Sequence, residues 1–381
     1  MLPFDPSPLE PLLVEVDDWR GRLDVRLPLV RRWDGRLRRD LETEAVAAST
    51  SMEGVPVTVD EVRRILVGDR PPKVEHEAAD LVEGYREAIG FAARRADDPG
   101  FRWDRELIVA LHDRILAGKA GLGAGRLRTS PNYVVNSATG TVVFTPPDWQ
   151  VVPVLVDEAC GQLGEGLWHP ALAAGWVHAA IAMIHPFVDG SGRVARVLAS
   201  LAMYRGGFKR PEFTSLEEWW GRHLGEYYES FRYLGTSFDA SADVTAFLKS
   251  HLEAQLHQVR ALEMRESIEQ RLWMAIEEVV TDAGLQPRVA NAVWDAFFGR
   301  EVTPRYYRPL ADVSIASATN DLAGCVAARV LRPEGQGRAR RYLAGTELFA
   351  RVGKVLGLDD VPEDEASARQ MIIVALTSRS K

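Results

Sequence analysis

The stretch HPFVDGSGRVAR, residues 185–196, lies between two apolar runs and is the part of the sequence that decides the fold. The run before it, residues 171–184, and the run after it, residues 194–204, consist mainly of apolar residues, which predicts two buried helices joined by this loop. Gly190 and Gly192 allow the backbone to turn tightly where the second helix begins. The sequence therefore predicts a helix–loop–helix whose loop opens the N-terminus of a buried helix.

The polar residues of this loop have the chemistry of a phosphate site. A helix N-terminus offers unpaired N–H groups and the positive end of a dipole to an anion. Arg193 and Arg196 lie three residues apart, so both can reach one anion with forked donors. Asp189 is an oxygen ligand suited to Mg²⁺ shared with phosphates, and His185 can take a proton from an attacking hydroxyl near neutral pH. Singly, each residue is more typical of a capped turn or a loop histidine; together they predict a catalytic phosphate site.

The string resembles the motif of the Fic (Fic/Doc) family, His-x-Phe-x-(Asp/Glu)-Gly-Asn-Gly-Arg-x-x-Arg, and differs at one fixed position, where Ser191 replaces Asn. The resemblance implies a mainly α fold, with a helical Fic-type core and a β-hairpin flap. It implies transfer of AMP from the substrate ATP to a Tyr, Ser or Thr hydroxyl of a target protein, with pyrophosphate released. His185 would be the base, and Phe187 would face the core. The nucleotide would be bound by Asp189 (through Mg²⁺), Gly190, Ser191, Gly192, Arg193 and Arg196. Because serine is shorter than asparagine, we expect Ser191→Asn to change nucleotide affinity or turnover.

A second motif, Ser49-Thr50-Ser51-Met52-Glu53-Gly54, stands at the end of a helical pattern over about residues 29–54. It resembles the family's inhibitory motif, (Ser/Thr)-x-x-x-Glu-(Gly/Asn), with Ser49 and Glu53 at its fixed positions. The resemblance implies that Glu53 pairs with Arg196 and occupies the place of the γ-phosphate, since a carboxylate fits an arginine fork. The alternative is a solvated glutamate at a helix end.

A β-hairpin is predicted at residues 132–144, where β-branched and aromatic residues flank a turn at 136–140. Its position resembles the flap of the family, beside which an extended target segment adds as a strand. The strand that would dock the target contains Val142, Val143 and Phe144. An ordinary surface hairpin is the alternative.

Further helices are predicted after the central motif. Residues 216–234 read as one aromatic-rich helix, whose pair Tyr227-Tyr228 resembles a tyrosine pair of the family, one member of which lines the adenine pocket. A long amphipathic helix over 244–262 and another helix through about residue 281 follow.

The character of the chain changes from about residue 285. Residues 314–322 have the look of a recognition helix, and residues 331–343 could form two strands with a basic turn containing Arg338, Arg340 and Arg341. The whole resembles the winged-helix domain often appended to this family. DNA binding and protein interaction remain alternatives, because the formal net charge of −8 does not favour DNA.

The length and composition of the whole sequence bear on its domains and its cellular compartment. With 381 residues we expect an N-terminal helical region at 1–95, a Fic-type core at 96–265 and a winged-helix-like domain at 266–381. The two cysteines, Cys160 and Cys325, lack zinc-site spacing and indicate a reducing compartment. No apolar run has the length of a membrane span and the first residues lack a signal pattern, so we expect a cytoplasmic protein without a membrane partner. The target protein is unknown; self-modification and a homodimer are further expectations.

Other functions remain open. The same site could remove AMP or transfer another phosphate-containing group. A non-catalytic winged-helix regulator would keep its function after His185→Ala. A metal hydrolase built on His169, His178, His185 and Asp189 ranks last, because their spacing fits no ligand pattern.

Overall fold

The computed structural model describes residues 2–24, 31–136, 139–166, 168–214 and 216–378, without the side chains of residues 31–37, Pro211 and Arg338. It is mainly helical, as predicted, and the described strands form two antiparallel hairpins. The predicted start of the inhibitory helix at 29–30 and the turn residues Ser137 and Ala138 lie outside the described residues. Within the described ranges, no helix combines the length and apolar character that crossing a membrane requires.

The described residues divide into two compact units. The first contains the described residues of 2–24, 38–62 and 72–260, and the second contains those of 31–37, 63–71 and 261–378. The three-part division made from the sequence stays a prediction.

The helices up to residue 282 follow in chain order. They are α1 (Glu10–Asp24), α2 (Arg31–Met52), α3 (Val59–Leu66), α4 (His76–Ala96), α5 (Arg105–Ile115), α6 (Val152–Glu165), α7 (Pro170–Ile184), α8 (Ser191–Arg205), α9 (Pro211–Thr214), α10 (Leu216–Arg222), α11 (Leu224–Phe231) and α12 (Thr245–Asp282). Helices α7 and α8 pack against each other at the centre of the first unit, with α4 and α5 against α8. Nearly all side chains of α7 and α8 are buried. The sequence of α7 is apolar on nearly every face, whereas α8 buries two arginines, Arg193 and Arg196, beside its apolar residues. This confirms the two buried helices predicted on either side of the motif.

Two helix predictions need correction. Residues 216–234 are not one helix, because the chain breaks at His223, which has the non-helical angles φ −124° and ψ 46°. Gly221 and Gly225 flank the break and lower the helix propensity there. The two helices predicted between 244 and 281 are the single helix α12, whose 38 residues include no glycine or proline to end it.

The predicted hairpin of the first unit is present as β1 (Val134–Val135) and β2 (Val142–Phe144), paired antiparallel with an irregular register. Backbone hydrogen bonds continue from its second strand, where Thr145 N–H donates to the Thr236 carbonyl at 2.9 Å. Val142 and Val143 are largely exposed. The hairpin is therefore anchored at its base and presents aliphatic side chains to solvent.

The second unit contains, after α12, the helices α13 (Ala290–Phe297), α14 (Pro304–Ala311), α15 (Ile315–Ala327), α16 (Leu348–Val355) and α17 (Glu365–Ser378). Strands β3 (Leu331–Glu334) and β4 (Arg341–Ala344) form a regular antiparallel hairpin after α15. Ser314 caps α15 by accepting from Ser317 N–H at 3.1 Å. In the hairpin, Arg341 pairs with Glu334 at 3.2 Å and also with Glu301. The order of elements suits a winged helix, but that assignment and DNA binding stay predictions.

Candidate active site

The loop between α7 and α8 has two residues in the left-handed region. His185 ends α7 with φ 46° and ψ 62°, and Gly190 begins α8 with φ 79°. Glycine suits the second position because L side chains rarely adopt this φ, and because a Cβ there would lie 3.4 Å from the ring of His112. The motif is thus a tight connection that directs the first turn of α8 towards the same side as His185.

The interior of the loop rests on an aromatic stack. Phe187 is fully buried, as predicted, and its ring lies 3.6 Å from that of His112 at an interplanar angle of 12°. The Nε2 atom of His112 lies 3.0 Å from the Asp189 carbonyl, and its Nδ1 accepts from Gly125 N–H at 3.2 Å. Burial lowers the pKa of His112 to about 4. A neutral imidazole that donates from Nε2 therefore holds the loop at neutral pH.

The side chain of Ser191 also stabilises the loop between α7 and α8. Its side chain is buried, and its Oγ accepts a hydrogen bond from Phe187 N–H at 3.2 Å. The hydroxyl thus satisfies a backbone donor that would otherwise be buried without a partner. The structure places this hydroxyl against the backbone of the loop, and the predicted role of Ser191 in nucleotide binding stays a prediction.

Arg193 is a buried cation with unused hydrogen-bond capacity. It is 1% exposed; its Nη2 donates to Asp189 Oδ2 at 3.0 Å, and its Nε lies 3.8 Å from Glu53 Oε2. Among the described residues, its Nε and Nη1 atoms have no hydrogen-bond partner. Burying such donors is costly unless an anion completes them, and they lie in the first turn of α8, where the helix dipole also attracts an anion. Chemically, these donors could bind a phosphate group; the phosphate site itself stays a prediction.

In Arg196, by contrast, every nitrogen of the guanidinium donates a hydrogen bond. Its Nε donates to Ser49 Oγ at 2.8 Å and its Nη1 to the Tyr227 hydroxyl at 3.0 Å. Its Nη2 donates to Glu53 Oε1 at 2.8 Å and to the Ser49 carbonyl at 3.2 Å. Although burial opposes it, Tyr227 and Glu53 raise the pKa of Arg196 above its ordinary value. The predicted contact between Glu53 and Arg196 is present.

Gly192 shows how closely Glu53 approaches α8. A Cβ at this position would lie 2.5 Å from Glu53 Oε1 and 3.2 Å from Arg196 Nη1. The second glycine of the motif therefore makes room for an anionic group directly on the first turn of the helix. In this structure that group is the Glu53 carboxylate.

His185 is set up to accept a proton. Burial lowers the pKa of its imidazole, opposed in part by a hydrogen bond with the Ala182 carbonyl and by the charge of Glu53. The ring is therefore neutral near pH 7, which is the form that a general base requires.

The two tyrosines of the predicted pair have different surroundings. Tyr227 is buried, and besides Arg196 its hydroxyl contacts His178 Nε2 at 3.3 Å. Tyr228 is 55% exposed, and its hydroxyl donates to the Met52 carbonyl at 3.5 Å. The structure thus places Tyr227 against Arg196 and leaves the ring of Tyr228 accessible at the end of α2.

Asp189 can take part in binding Mg²⁺. Its side chain is 50% exposed, and its oxygens accept from Gly190 N–H at 2.7 Å and from Arg193. One carboxylate is sufficient for an ion that takes its remaining ligands from phosphates and water. Within the described ranges, no group of three or more His, Cys, Asp or Glu side chains could hold a metal ion.

Three residues of the site were missed from the sequence: His112, Arg128 and Asn132. His112 lies on the apolar, buried face of α5, where a histidine is usually part of the core. Asn132 donates through Nδ2 to the carbonyls of Phe187 and Val188, both at 3.2 Å. Arg128 donates to the His185 carbonyl at 2.9 Å. All three act on the loop from distant parts of the chain, so no local pattern could have revealed them.

Comparisons with known proteins agree with this geometry. Residues 102–203 match the model of the Fic/DOC family, so the chain contains a Fic/DOC family domain. Protein adenylyltransferase fic-1 of Caenorhabditis elegans is 32% identical over 148 residues, covering 35% of this chain and 27% of that protein. The protein of the same name from Caenorhabditis briggsae is 31% identical over 147 residues with the same coverage. This chain therefore spans about a quarter (27%) of the length of these relatives.

Solved structures confirm the fold. A Fic family protein from Desulfovibrio desulfuricans G20 matches with a TM-score of 0.57 at 21% identity, over 90% of this chain and 98% of that one. Residues 134–508 of Fic-1 from C. elegans match with a TM-score of 0.54 at 22% identity, over 66% of this chain and 70% of that one. The Fic-type helical core predicted from the motif is therefore present.

Proposed function

We propose that this protein is a protein adenylyltransferase that moves AMP from ATP to a Tyr, Ser or Thr hydroxyl of a target protein. The observation that carries the proposal is the buried Arg193, whose unpaired donors lie in the first turn of α8. In the same motif, the lowered pKa of His185 keeps its imidazole neutral near pH 7. The Fic/DOC domain and its relatives named protein adenylyltransferase support ATP as the donor and a protein as the acceptor.

The reaction follows from these positions. The imidazole of His185 takes the proton of the target hydroxyl as its oxygen attacks the α-phosphorus of ATP. The bond between the α-phosphorus and the oxygen leading to the β-phosphate breaks, and pyrophosphate leaves. Arg193 and the N–H groups at the start of α8 stabilise the charge that develops on the phosphates. Asp189 would hold Mg²⁺, which neutralises phosphate charge when bound.

The contact between Glu53 and Arg196 supports autoinhibition. The carboxylate occupies a guanidinium fork whose geometry equally suits a phosphate. It also lies on Gly192, so a triphosphate in the same place would have to displace it. We therefore assign the Glu53 position to the γ-phosphate of a productively bound ATP.

The flap supports a target that binds as an extended strand. The β1–β2 hairpin is short, and its exposed Val142 and Val143 offer aliphatic contact area beside the backbone. Strand addition relies on main-chain hydrogen bonds, so it tolerates different target sequences. A segment docked there would bring its hydroxyl towards the loop, because Asn132 ties the base of the flap to Phe187 and Val188.

Labelling with α-³²P-ATP, Mg²⁺ and a cell lysate tests the proposal. We expect strong protein labelling by Glu53→Gly, weak labelling by the parent, and none by Glu53→Gly combined with His185→Ala. His76→Ala in the Glu53→Gly background is the matched control, because His76 is an exposed histidine at the start of α4. Labelling that survives His185→Ala, or no labelling from Glu53→Gly, would contradict the proposal. Label from another nucleotide but not from ATP would point to a different donor for the same site.

A further inference from the structure

Arg128 is a buried arginine in the segment between α5 and the hairpin, and its hydrogen bonds converge on the loop of the active site. It is 3% exposed. Its Nε donates to the His185 carbonyl at 2.9 Å, and its backbone N–H donates to the Pro186 carbonyl at 2.9 Å. Its remaining acceptors are the carbonyls of Pro147 (2.5 Å), Ser130 (3.3 Å) and Ile184 (3.4 Å).

Every one of these acceptors is a backbone carbonyl. Among the described residues no carboxylate lies within ion-pair distance of Arg128, although Asp148 acts on it from further away. Burial lowers the pKa of Arg128 below its ordinary value, which reflects the cost of placing this cation inside the protein. The carbonyls at the C-terminus of α7 compensate, because they form the negative end of the helix dipole and lack partners within the helix.

The contact coincides with the strained residue of the loop. His185 has φ 46°, which L residues other than glycine rarely adopt and which persists only when the surroundings hold it. The guanidinium of Arg128 bonds the carbonyls of Ile184 and His185, which belong to the two peptide planes on either side of the His185 Cα. The direction of the imidazole follows from that backbone conformation.

We infer that Arg128 is the positioning residue of the proposed base: it locks the backbone of His185 to the root of the flap, so that base and docked hydroxyl keep one geometry. The link to the flap is the hydrogen bond to Pro147, three residues after β2 ends. This inference rests on the proposed transferase function, because it assigns His185 the role of base. Misplacing a catalytic group by about 1 Å can cost roughly 100-fold in rate.

The test compares Arg128→Lys with Arg126→Lys, both in the Glu53→Gly background. Arg126 is an exposed arginine two residues away and is the matched control. Lysine retains the charge of Arg128 but cannot bond several carbonyls at once. We expect Arg128→Lys to lower kcat by roughly 30-fold or more, with ATP affinity in calorimetry changed by less than about threefold. Arg126→Lys should match its parent in both.

A readout independent of turnover separates this inference from the proposed function. The imidazole resonances of His185, assigned by their loss in His185→Ala, are followed by NMR as a function of pH. In Arg128→Lys we expect the His185 pKa to rise towards its ordinary value, because a loosened loop lets water reach the ring. If the Glu53→Gly parent transfers nothing, the transferase proposal fails, while the NMR titration still decides whether Arg128 holds His185.

Three results would overturn the inference. One is an unchanged kcat in Arg128→Lys. Another is a loss of kcat matched by an equal loss of ATP affinity, or accompanied by an unaltered His185 titration. The last is failure of both Arg128→Lys and Arg128→Gln to fold, which would make Arg128 a residue required for folding rather than for positioning.

Discussion

Two sides of the same loop are held by different chemistry. On one side, Arg196 binds the side chains of Ser49, Glu53 and Tyr227. On the other, Arg128 binds backbone carbonyls, His185 and Pro147 among them. A carboxylate on an arginine fork can be exchanged for a phosphate, whereas a backbone carbonyl at the end of a helix cannot leave its place.

Burial does not distinguish the two arginines, because Arg196 and Arg128 are each 3% exposed. Their partners do. Arg196 contacts the carboxylate of Glu53, directly after α2, so its environment can change when a ligand competes for it. Among the described residues, the hydrogen-bond acceptors of Arg128 are all backbone carbonyls. We therefore expect the Arg196 side of the loop to respond to a ligand and the Arg128 side to keep its geometry.

The largest effect expected from this comparison concerns Glu53. Removing the carboxylate in Glu53→Gly frees the fork of Arg196, and we expect ATP affinity to rise by about tenfold or more, since hydrogen bonds to charged groups contribute roughly 1.5–3 kcal/mol. AMP, which lacks a γ-phosphate, should gain much less. Calorimetric titration with both nucleotides checks this. Equal gains for ATP and AMP would show that Glu53 does not overlap the γ-phosphate.

Ser49→Ala is a milder variant whose effect on ATP affinity can be compared with that of Glu53→Gly. It removes the Ser49 Oγ partner of Arg196 but leaves the Ser49 carbonyl and Glu53 in place. We expect a gain in ATP affinity clearly smaller than that of Glu53→Gly.

We expect the free energy of unfolding to depend on pH through His112, which holds the loop from α5. Its pKa is about 4 in the folded protein, below the ordinary value of 6.5, so the unfolded chain binds more protons between these two values. The free energy of unfolding therefore falls as pH drops from 6.5 towards 4, by about 3 kcal/mol for this group at most. Urea unfolding at pH 7 and pH 4.5 measures the change.

The variant His112→Gln separates the contribution of His112 to this pH dependence from those of the other buried histidines. Burial also lowers the pKa of His178 and His251, so the parent carries several such contributions. His112→Gln should lose less stability between the two pH values than the parent, by about 2 kcal/mol. Equal losses in parent and variant would mean that His112 keeps its proton equilibrium on folding.

The smallest effect is expected at Ser191. Because its hydroxyl accepts from Phe187 N–H, Ser191→Ala should lower the free energy of unfolding by about 1 kcal/mol and change ATP affinity by less than about threefold. Urea unfolding and calorimetry measure the two quantities. A loss of ATP affinity beyond about tenfold would instead place the hydroxyl on the nucleotide. Ser191→Asn remains the direct test of the family's usual residue at this position.

Local patterns accounted for much of the fold. The apolar runs before and after the motif predicted α7 and α8, and the β-branched residues around 132–144 predicted the hairpin. The wrong predictions concerned where helices end. The break at His223 depends on packing. The continuity of α12 depends on the absence of a helix breaker over a long stretch. The site was predictable where its residues lie in the central motif or in another stretch that resembles a motif of the family.

The sequence by itself determined the chemistry of the loop, because tight turns, anion-binding N–H groups and paired arginines depend on residue types a few positions apart. Its resemblance to a known motif also identified Glu53 as the partner of Arg196. Only the tertiary structure decided that Arg193 keeps unpaired donors while Arg196 is filled, and that Ser191 faces the loop. Only it brought His112, Arg128 and Asn132 to the motif. The physical reason is that hydrogen bonds and burial depend on distance in space, and these residues are 55 or more positions from the parts of the loop they hold.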